Sequence, residues 1–168
     1  TEEYQCIYHE HMAKMIGERP YLWATHVWNL FDFAADGRDE GGKHGVNQKG
    51  LVTIDRKLKK DAFYLYKAYW SKTPFVHVCG RRYVERTEDV TEIKVYSNEQ
   101  SVTLFVDGVE RETSEGSKVF KFKVPITGTH KIRAVSGTCE DEITVKKVQK
   151  SNQDYIFNKQ GDVVNWFD

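Results

Sequence analysis

The sequence lacks a surplus of either charge, a long apolar segment and closely spaced cysteines. Lysine plus arginine number 25 and aspartate plus glutamate also number 25, so the formal net charge is zero. Binding to nucleic acid or to an anionic membrane surface is therefore not expected, because both require a basic surplus. No apolar run approaches the roughly 20 residues that span a bilayer. Cys6, Cys79 and Cys139 are an odd, widely spaced set, which fits neither a disulfide framework nor a zinc site.

What the sequence does contain is typical of a folded chain in two parts. Its 168 residues are 39% hydrophobic and 13% aromatic, which is enough to build a core. The composition changes near Pro74, from rich in tyrosine, tryptophan, histidine and methionine to rich in valine, threonine, lysine and glutamate. We therefore predict domains at 1–74 and 75–149. Residues 150–168 form a polar tail with an apolar end at 163–168, which we expect to dock and to lead to a further domain.

The first part predicts a helix, a strand, a loop and a second helix. Apolar residues at three- and four-residue spacing predict a helix over 2–18, which Pro20 ends. The nearly continuous apolar run at 21–33 predicts a parallel strand covered on both faces, with a core helix as the alternative. Residues 56–70 carry an apolar helical stripe and follow Asp55, a candidate cap. The basic side chains at the start of that helix, Arg56, Lys57, Lys59 and Lys60, are interpreted as a solvated face without function.

Residues 34–50 hold five glycines and show no periodicity. A loop of this length inside a compact domain is uncommon and is usually functional, although a mobile surface loop is the alternative. The loop has no Gly-Lys-Ser/Thr sequence, so it is not a nucleotide-binding P-loop. We interpret Asp32, Asp36, Asp39 and Glu40 as polar loop residues.

The second part alternates between apolar and polar residues, as half-buried strands do. The predicted strands cover 75–79, 91–97, 102–106, 118–124, 129–135 and 142–148. Asp107-Gly108 separates two of them, and both residues tolerate the positive φ of a two-residue hairpin turn. Short strands at this spacing predict an immunoglobulin-like antiparallel β-sandwich, and a helix anywhere across 91–106 would contradict it.

Three segments resemble glycoside hydrolase family 2, which contains β-galactosidases and β-glucuronidases. They are Thr1-Glu2-Glu3-Tyr4-Gln5, Val27-Trp28-Asn29-Leu30-Phe31-Asp32-Phe33, and the run from Asn47-Gln48-Lys49-Gly50-Leu51 to Lys57. In order and spacing they are similar to the end of the family's (β/α)8 barrel. Residues 95–98 and 104–108 resemble the small β-domain that follows the barrel in many bacterial members. The resemblance therefore implies an α+β chain: an incomplete barrel end, helix–strand–loop–helix, followed by an immunoglobulin-like antiparallel β-sandwich.

The resemblance also implies what the chain lacks. Retaining glycosidases need two carboxylates about 5 Å apart, one acid/base and one nucleophile. In the family both glutamates lie on barrel strands that precede the first helix of this sequence. We therefore expect a C-terminal fragment of a retaining exo-β-glycosidase, with no catalytic residue here and no activity alone. β-Galactosidase is the preferred specificity, β-glucuronidase is an alternative, and a non-catalytic carbohydrate-binding or spacer β-sandwich is a second alternative.

Three residues match the family's substrate-binding positions. Trp28 corresponds to a tryptophan that forms a wall for the sugar, because an indole face packs well on the C–H face of a pyranose. Asn47 and Lys49 correspond to the Asn-x-Lys pair that contacts the sugar carboxylate in β-glucuronidases, although members described as β-galactosidases also carry it. The alternatives are a core tryptophan and two exposed loop residues. The resemblance implies no cofactor.

The histidines are interpreted without a metal. His9 and His11 lie two apart on the predicted helix and face different ways, and no His-Glu-x-x-His sequence is present. His26 falls in the predicted buried strand and is expected to be a hydrogen-bonded core residue. The remaining histidines are His44 in the loop and His77 and His130 on predicted strands.

The apolar run 21–33 also bears on association. In a whole barrel this strand would have partners on both edges and helices on both faces. Because only two helices flank it here, we expect the exposed edge and aromatic side chains to pair with a second copy, giving a homodimer.

Overall fold

The computed structural model describes residues 1–37 and 43–155, in two compact units that contain Thr1–Phe63 and Tyr64–Tyr155 of the described chain. The described residues form two α-helices and ten β-strands, so the mixed α and β character is confirmed. The limits of the predicted domains, at 74 and 149, stay predictions. The apolar tail end at 163–168, and Asp39 and Glu40 of the loop, lie outside the described residues.

The first helix, α1, covers Glu2–Gly17 and confirms the prediction for 2–18. The Oγ1 atom of Thr1 accepts a hydrogen bond from the Tyr4 amide at 3.3 Å, which satisfies one of the N–H groups that a helix start leaves unpaired. Glu2 and Glu3 in the first turn place negative charge at the positive end of the helix dipole. The helix ends where Pro20 approaches, as its fixed ring geometry requires.

The predicted buried strand at 21–33 is wrong over most of its length. Only Phe33–Ala34, β1, is a strand there, and it pairs antiparallel with β2, Val46–Asn47. Phe31 adds one parallel bridge to Val52. Trp23 is 96% exposed, and His26 is also exposed rather than in a core. A strand exists only where neighbours accept its backbone hydrogen bonds, and the described residues supply them only at these short stretches.

The second helix, α2, covers Asp61–Trp70 and so begins five residues later than predicted. Asp55 does not cap it. Its Oδ1 atom accepts from Thr53 Oγ1 at 2.6 Å and from the Lys57 amide at 3.1 Å, which closes a separate turn. Arg56 has a φ of 62°, a left-handed conformation that interrupts a right-handed helix. The carboxylate of Glu2 instead accepts the first amide of α2, that of Asp61, at 2.6 Å.

The second unit begins within α2 and contains eight short strands in two sheets. They are β3 (Val76–Val78), β4 (Glu85–Arg86), β5 (Val90–Ser97), β6 (Ser101–Val106), β7 (Val109–Glu115), β8 (Lys118–Pro125), β9 (Thr129–Ser136) and β10 (Cys139–Lys147). One sheet has the order β4-β10-β9-β6-β7 and the other β3-β5-β8. The pairings are antiparallel apart from β4 with β10, which are parallel. The sequence predicted six of these strands and missed β4 and β7.

Both sheets contribute to one hydrophobic core. On β8, the buried Phe120, Phe122 and Val124 alternate with exposed Lys121 and Lys123, as the two-residue period of a strand requires. The other members are Val76, Val78, Ile93, Val95, Val102, Leu104, Val106, Ile126, Ile132, Ala134, Ile143 and Val145. Burying each valine, leucine, isoleucine or phenylalanine of this cluster stabilises the fold by about 1.5–3 kcal/mol, so the cluster holds the two sheets together.

The predicted turn at Asp107-Gly108 is confirmed. The two residues have φ values of 52° and 82°, and Val106 pairs directly with Val109 across the hairpin. The Asp107 carboxylate ties the turn to residues 130 and 131. Its Oδ1 atom accepts a hydrogen bond from the Lys131 amide at 2.8 Å, and its Oδ2 atom lies 2.7 Å from His130 Nδ1. The hydrogen bond from His130, followed by the one from the Lys131 amide, lowers the pKa of the Asp107 carboxyl below its ordinary value.

Neither helix within the described ranges combines the length and the hydrophobicity that crossing a membrane requires.

The depressed pKa of Asp107 predicts a pH-dependent contribution to stability. A group whose folded pKa is lowered contributes stability above its unfolded pKa and loses it as the pH falls through the folded value. Asp107→Asn keeps a residue type that tolerates positive φ but removes the charge. We expect it to lower the melting temperature at neutral pH, with the difference from wild type shrinking below about pH 4. Thermal melts across this range check it, with Glu110→Gln on the same hairpin as the control. A difference that stays constant with pH would contradict the prediction.

Candidate functional site

The first unit contains a buried ion pair. Lys60 Nζ is 2.7 Å from Asp32 Oδ1, and the two residues are only 8% and 6% exposed. Both ends of the pair also bind the backbone of one loop, since Lys60 Nζ donates to Gln48 O at 2.8 Å and Asp32 Oδ1 accepts from the Gly50 amide at 2.9 Å. Breaking a buried pair by removing one partner typically costs about 3–5 kcal/mol. The pair therefore holds residues 48–50 firmly.

The interpretations of Asp32 as a polar loop residue and of Lys60 as part of a solvated helix face are wrong. Lys60 precedes α2 instead of lying in it, and its amide donates to Leu51 O at 2.8 Å. This backbone bond holds Lys60 beside the loop, where its side chain is buried. A charged residue between two phenylalanines, as in Phe31-Asp32-Phe33, is the sequence signal that could have indicated a buried partner.

The loop approaches the chain before β1 closely enough to require glycine. The amides of Leu51 and Val52 donate to Asn29 O and Leu30 O at 3.0 and 2.9 Å. A Cβ atom on Gly50 would lie 2.0 Å from the Asp32 amide nitrogen and 2.2 Å from the Phe31 carbonyl carbon. Both are backbone atoms that no rotamer change moves, so only glycine fits this crossing.

Lys49 lies between two peptide groups whose four polar atoms are all bound by side chains. In the preceding peptide, Gln48 O accepts from Lys60, and the Lys49 amide donates to Asn47 Oδ1 at 3.0 Å. In the following peptide, Lys49 O accepts from Gln5 Nε2 at 3.1 Å, and the Gly50 amide donates to Asp32. We call the side chains of Gln5, Asp32, Asn47 and Lys60 the Lys49 cradle.

The three predicted binding residues differ in exposure. Asn47 is 1% exposed, whereas Lys49 is exposed. Trp28 is 73% exposed, so it is not a core residue of the described chain. Its indole meets the ring of Phe33 edge to face, with centroids 6.2 Å apart.

Phe33 connects the predicted residues. It contacts Trp28 with its ring and pairs with Asn47 through its backbone across β1 and β2. The structure thus links Trp28, Asn47 and Lys49 through a continuous chain of contacts. Chemically, this arrangement offers an exposed aromatic surface and an exposed cation on a fixed backbone.

Comparisons with known proteins show that the chain is similar to parts of glycosidases. A β-glucuronidase of Bacteroides fragilis is 38% identical over 86% of this chain. The crystal structure of an FMN-binding β-glucuronidase from Faecalibacterium prausnitzii is 51% identical over 92% of the chain, with a TM-score of 0.89. A Bacteroides fragilis structure, provisionally named a β-galactosidase, is 33% identical over 91% with a TM-score of 0.84. The chain spans 22%, 24% and 24% of these proteins. No protein-family model matches the chain.

The close backbone approach at Gly50 predicts that adding one methyl group there lowers the stability of the protein. Gly50→Ala places a Cβ inside the backbone of Phe31 and Asp32, so the crossing has to open and the ion pair has to shift. We expect a loss of about 1–3 kcal/mol in the free energy of unfolding, the usual range for overpacking. Thermal or denaturant unfolding measures it.

Gly17→Ala is the matched control, because a Cβ at Gly17, the last residue of α1, meets no atom within 4 Å. This change should leave stability equal or slightly raised, since alanine favours helix over glycine. Equal stability of the two variants would show that the crossing is not constrained.

Proposed function

We propose that this chain, which belongs with the β-glucuronidases and β-galactosidases of glycoside hydrolase family 2, is the C-terminal part of a retaining exo-β-glycosidase. The observation that carries the proposal is the similarity to the Faecalibacterium prausnitzii β-glucuronidase along nearly the whole chain. The parent would hydrolyse terminal β-glycosidic bonds, with this chain supplying part of the substrate-binding surface.

The fold assignment follows from the same proposal. We infer that residues 1–74 are the end of the (β/α)8 barrel, with α1 and α2 as two of its helices. Residues 75–149 would be the immunoglobulin-like sandwich that follows. This assignment is supported by the two sheets with a common core and by the Asp107-Gly108 hairpin.

The catalytic carboxylates would lie elsewhere in the parent. Retaining hydrolysis needs a nucleophile and an acid/base about 5 Å apart and open to the sugar. Asp32 does not suit either role, because its carboxylate is buried and bound to Lys60 and to the Gly50 amide. The chain alone is therefore expected to be inactive, and turnover by the isolated chain would contradict the proposal.

Trp28 is proposed as a wall of the sugar site. Most of its indole is exposed, and Phe33 supports it from one side. An aromatic ring so placed buries the C–H face of a pyranose with little loss of side-chain freedom.

Lys49 and Asn47 are proposed to bind the sugar, with Lys49 making the charged contact. The sequence favours a β-galactoside and leaves a β-glucuronide as the alternative. The cationic side chain of Lys49 favours the second, because a cation binds a uronic acid carboxylate far better than a neutral hydroxymethyl group. We therefore propose the β-glucuronide as the first substrate to test and the β-galactoside as its comparison.

The alternative of a non-catalytic carbohydrate-binding β-module finds less support. Such modules present aromatic side chains to the sugar. On the strands of the second unit, over the described residues, the exposed large apolar side chains are Val90 and Val109, neither of them aromatic. A spacer role remains compatible with this surface, and binding of residues 75–149 to a carbohydrate array would favour the binding module.

FMN binding is a second candidate property of the parent. It is favoured by the name of the Faecalibacterium prausnitzii relative, whereas the sequence predicts no cofactor for this chain. Retaining glycoside hydrolysis itself needs only the two carboxylates and water. Flavin absorbance of the purified parent would distinguish the two expectations.

A homodimer also stays a prediction. Exposed large side chains do cluster in sequence before β1, at Tyr21, Leu22, Trp23, Trp28 and Leu30. Exposed apolar surface of this kind is a candidate for contact with a second copy or with the rest of the parent.

The first test of the proposed site is Trp28→Ala in the full-length protein. Loss of the aromatic wall should lower kcat/KM at least about tenfold, which is ~1.4 kcal/mol of transition-state binding. Trp23→Ala is the matched control, since Trp23 is even more exposed and is assigned no contact with the sugar. Equal kcat/KM values for wild type and Trp28→Ala would remove Trp28 from the site.

The second test is Lys49→Ala assayed on two substrates. A charge-assisted contact to the carboxylate is absent for the neutral sugar, so activity on a β-glucuronide should fall at least about tenfold more than activity on a β-galactoside. Lys57→Ala, an exposed lysine outside the loop, serves as the control. Equal losses on the two substrates would rule out the uronide proposal.

A further inference from the structure

We propose that Asp32 and Lys60 are positioning residues that orient Lys49 toward the substrate carboxylate. The proposal rests on the proposed function, because it needs Lys49 to contact substrate. Neither Asp32 nor Lys60 would touch the sugar. Their effect would pass through the backbone of residues 48–50.

The geometry of the Lys49 cradle carries the argument. The direction of a side chain from the backbone is set by the two peptide planes that flank its Cα atom. Each of the two peptide planes around Lys49 is hydrogen-bonded at both its C=O group and its N–H group. In each plane, one of these two bonds comes from the Asp32–Lys60 ion pair. Lys60 binds Gln48 O at 2.8 Å, and Asp32 binds the Gly50 amide at 2.9 Å.

The ion pair supplies the stiffer half of the cradle. Hydrogen bonds to charged groups are shorter and roughly twice as strong as neutral ones. The bonds of Asp32 and Lys60 to the peptide groups are of this kind, the first buried and the second part-buried, whereas those of Gln5 and Asn47 are neutral. Among the described residues, the strand pairing beside Lys49 is the two-residue ladder of β1 with β2, and single bridges join Val52 to Phe31 and to Lys59. Without the pair, the backbone around Lys49 would keep only the weaker restraints.

Lys49 itself is long and exposed, so the cradle matters for its binding energy. Fixing a long lysine side chain on a ligand costs side-chain entropy. A fixed Cα–Cβ direction limits the search to conformations that point into the site. This is preorganisation, which raises affinity by lowering the ordering cost of binding.

The decisive experiment is a double-mutant cycle in the full-length protein. Asp32→Asn keeps an acceptor for the Gly50 amide but removes the charge that holds Lys60. It should raise KM for a β-glucuronide about tenfold while changing kcat and the β-galactoside KM less than about threefold. In a Lys49→Ala background the same change should have no further effect on the β-glucuronide, because the group it positions is gone.

Asp55→Asn is the matched control. Asp55 also accepts a backbone amide and a side-chain donor, but it is exposed and outside the loop. It should leave both substrates unaffected. Gln5→Met provides a second variant in which folding is not at risk, since it removes a neutral donor from a half-buried site on α1. Its effect should be smaller, in the same direction, and equally absent in the Lys49→Ala background.

Amide hydrogen exchange gives a readout that is independent of activity. The Gly50 amide should exchange at least about tenfold faster in Asp32→Asn than in wild type, with exchange in the β8 core unchanged.

The outcomes separate the two proposals. If Lys49→Ala leaves β-glucuronide hydrolysis unchanged, the proposed function fails at this residue and the positioning role fails with it. If Lys49→Ala matters but Asp32→Asn and Gln5→Met lower both activities equally and add to it, Asp32 is a general structural residue and only the positioning inference is overturned. Loss of the Asp32→Asn effect in the Lys49→Ala background, together with faster Gly50 exchange, supports the inference.

Discussion

The first unit depends on one buried charge pair. An aspartate and a lysine removed from water each lose several kcal/mol of solvation, and their contact with each other and with the backbone has to offset that loss. Asp32 and Lys60 meet this requirement because each also binds a peptide group of the same loop. The arrangement joins residues 28 positions apart in the sequence. It therefore fixes the backbone of residues 48–50, where regular secondary structure is sparse.

The second unit is stabilised in a different way. Its two sheets share a core of apolar side chains, and its charged residues lie mostly outside that core. Apolar packing is non-directional and tolerates changes of similar volume, whereas a buried ion pair does not tolerate loss of one partner. The two halves of the chain should accordingly differ in mutational tolerance: broad in the sheets, and narrow around residues 32, 50 and 60.

The sequence also predicts the second unit better than the first. Local sequence patterns were sufficient to predict several elements: the helix α1, the strands β5 to β10 apart from β7, and the Asp107-Gly108 turn. Their signals are hydrophobic periodicity and turn chemistry. The extended run before β1 was mispredicted because strand formation depends on distant partners. Lys60 was misplaced because the left-handed Arg56 delays α2, and the contact between Asp32 and Lys60 leaves no periodic trace. Trp28, Asn47 and Lys49 were recognisable only through their resemblance to a family.

The position of β7 at the edge of its sheet affects how readily other chains associate with the second unit. It ends the five-stranded sheet, so one side of its backbone faces no strand of that sheet. An open edge of this kind can template the addition of strands from other chains. Glu110, Arg111, Glu112 and Glu115 are exposed along it, and charges at this density oppose stacking against an identical edge. The charged side chains of β7 thus oppose the ordered aggregation that exposed edge strands can cause.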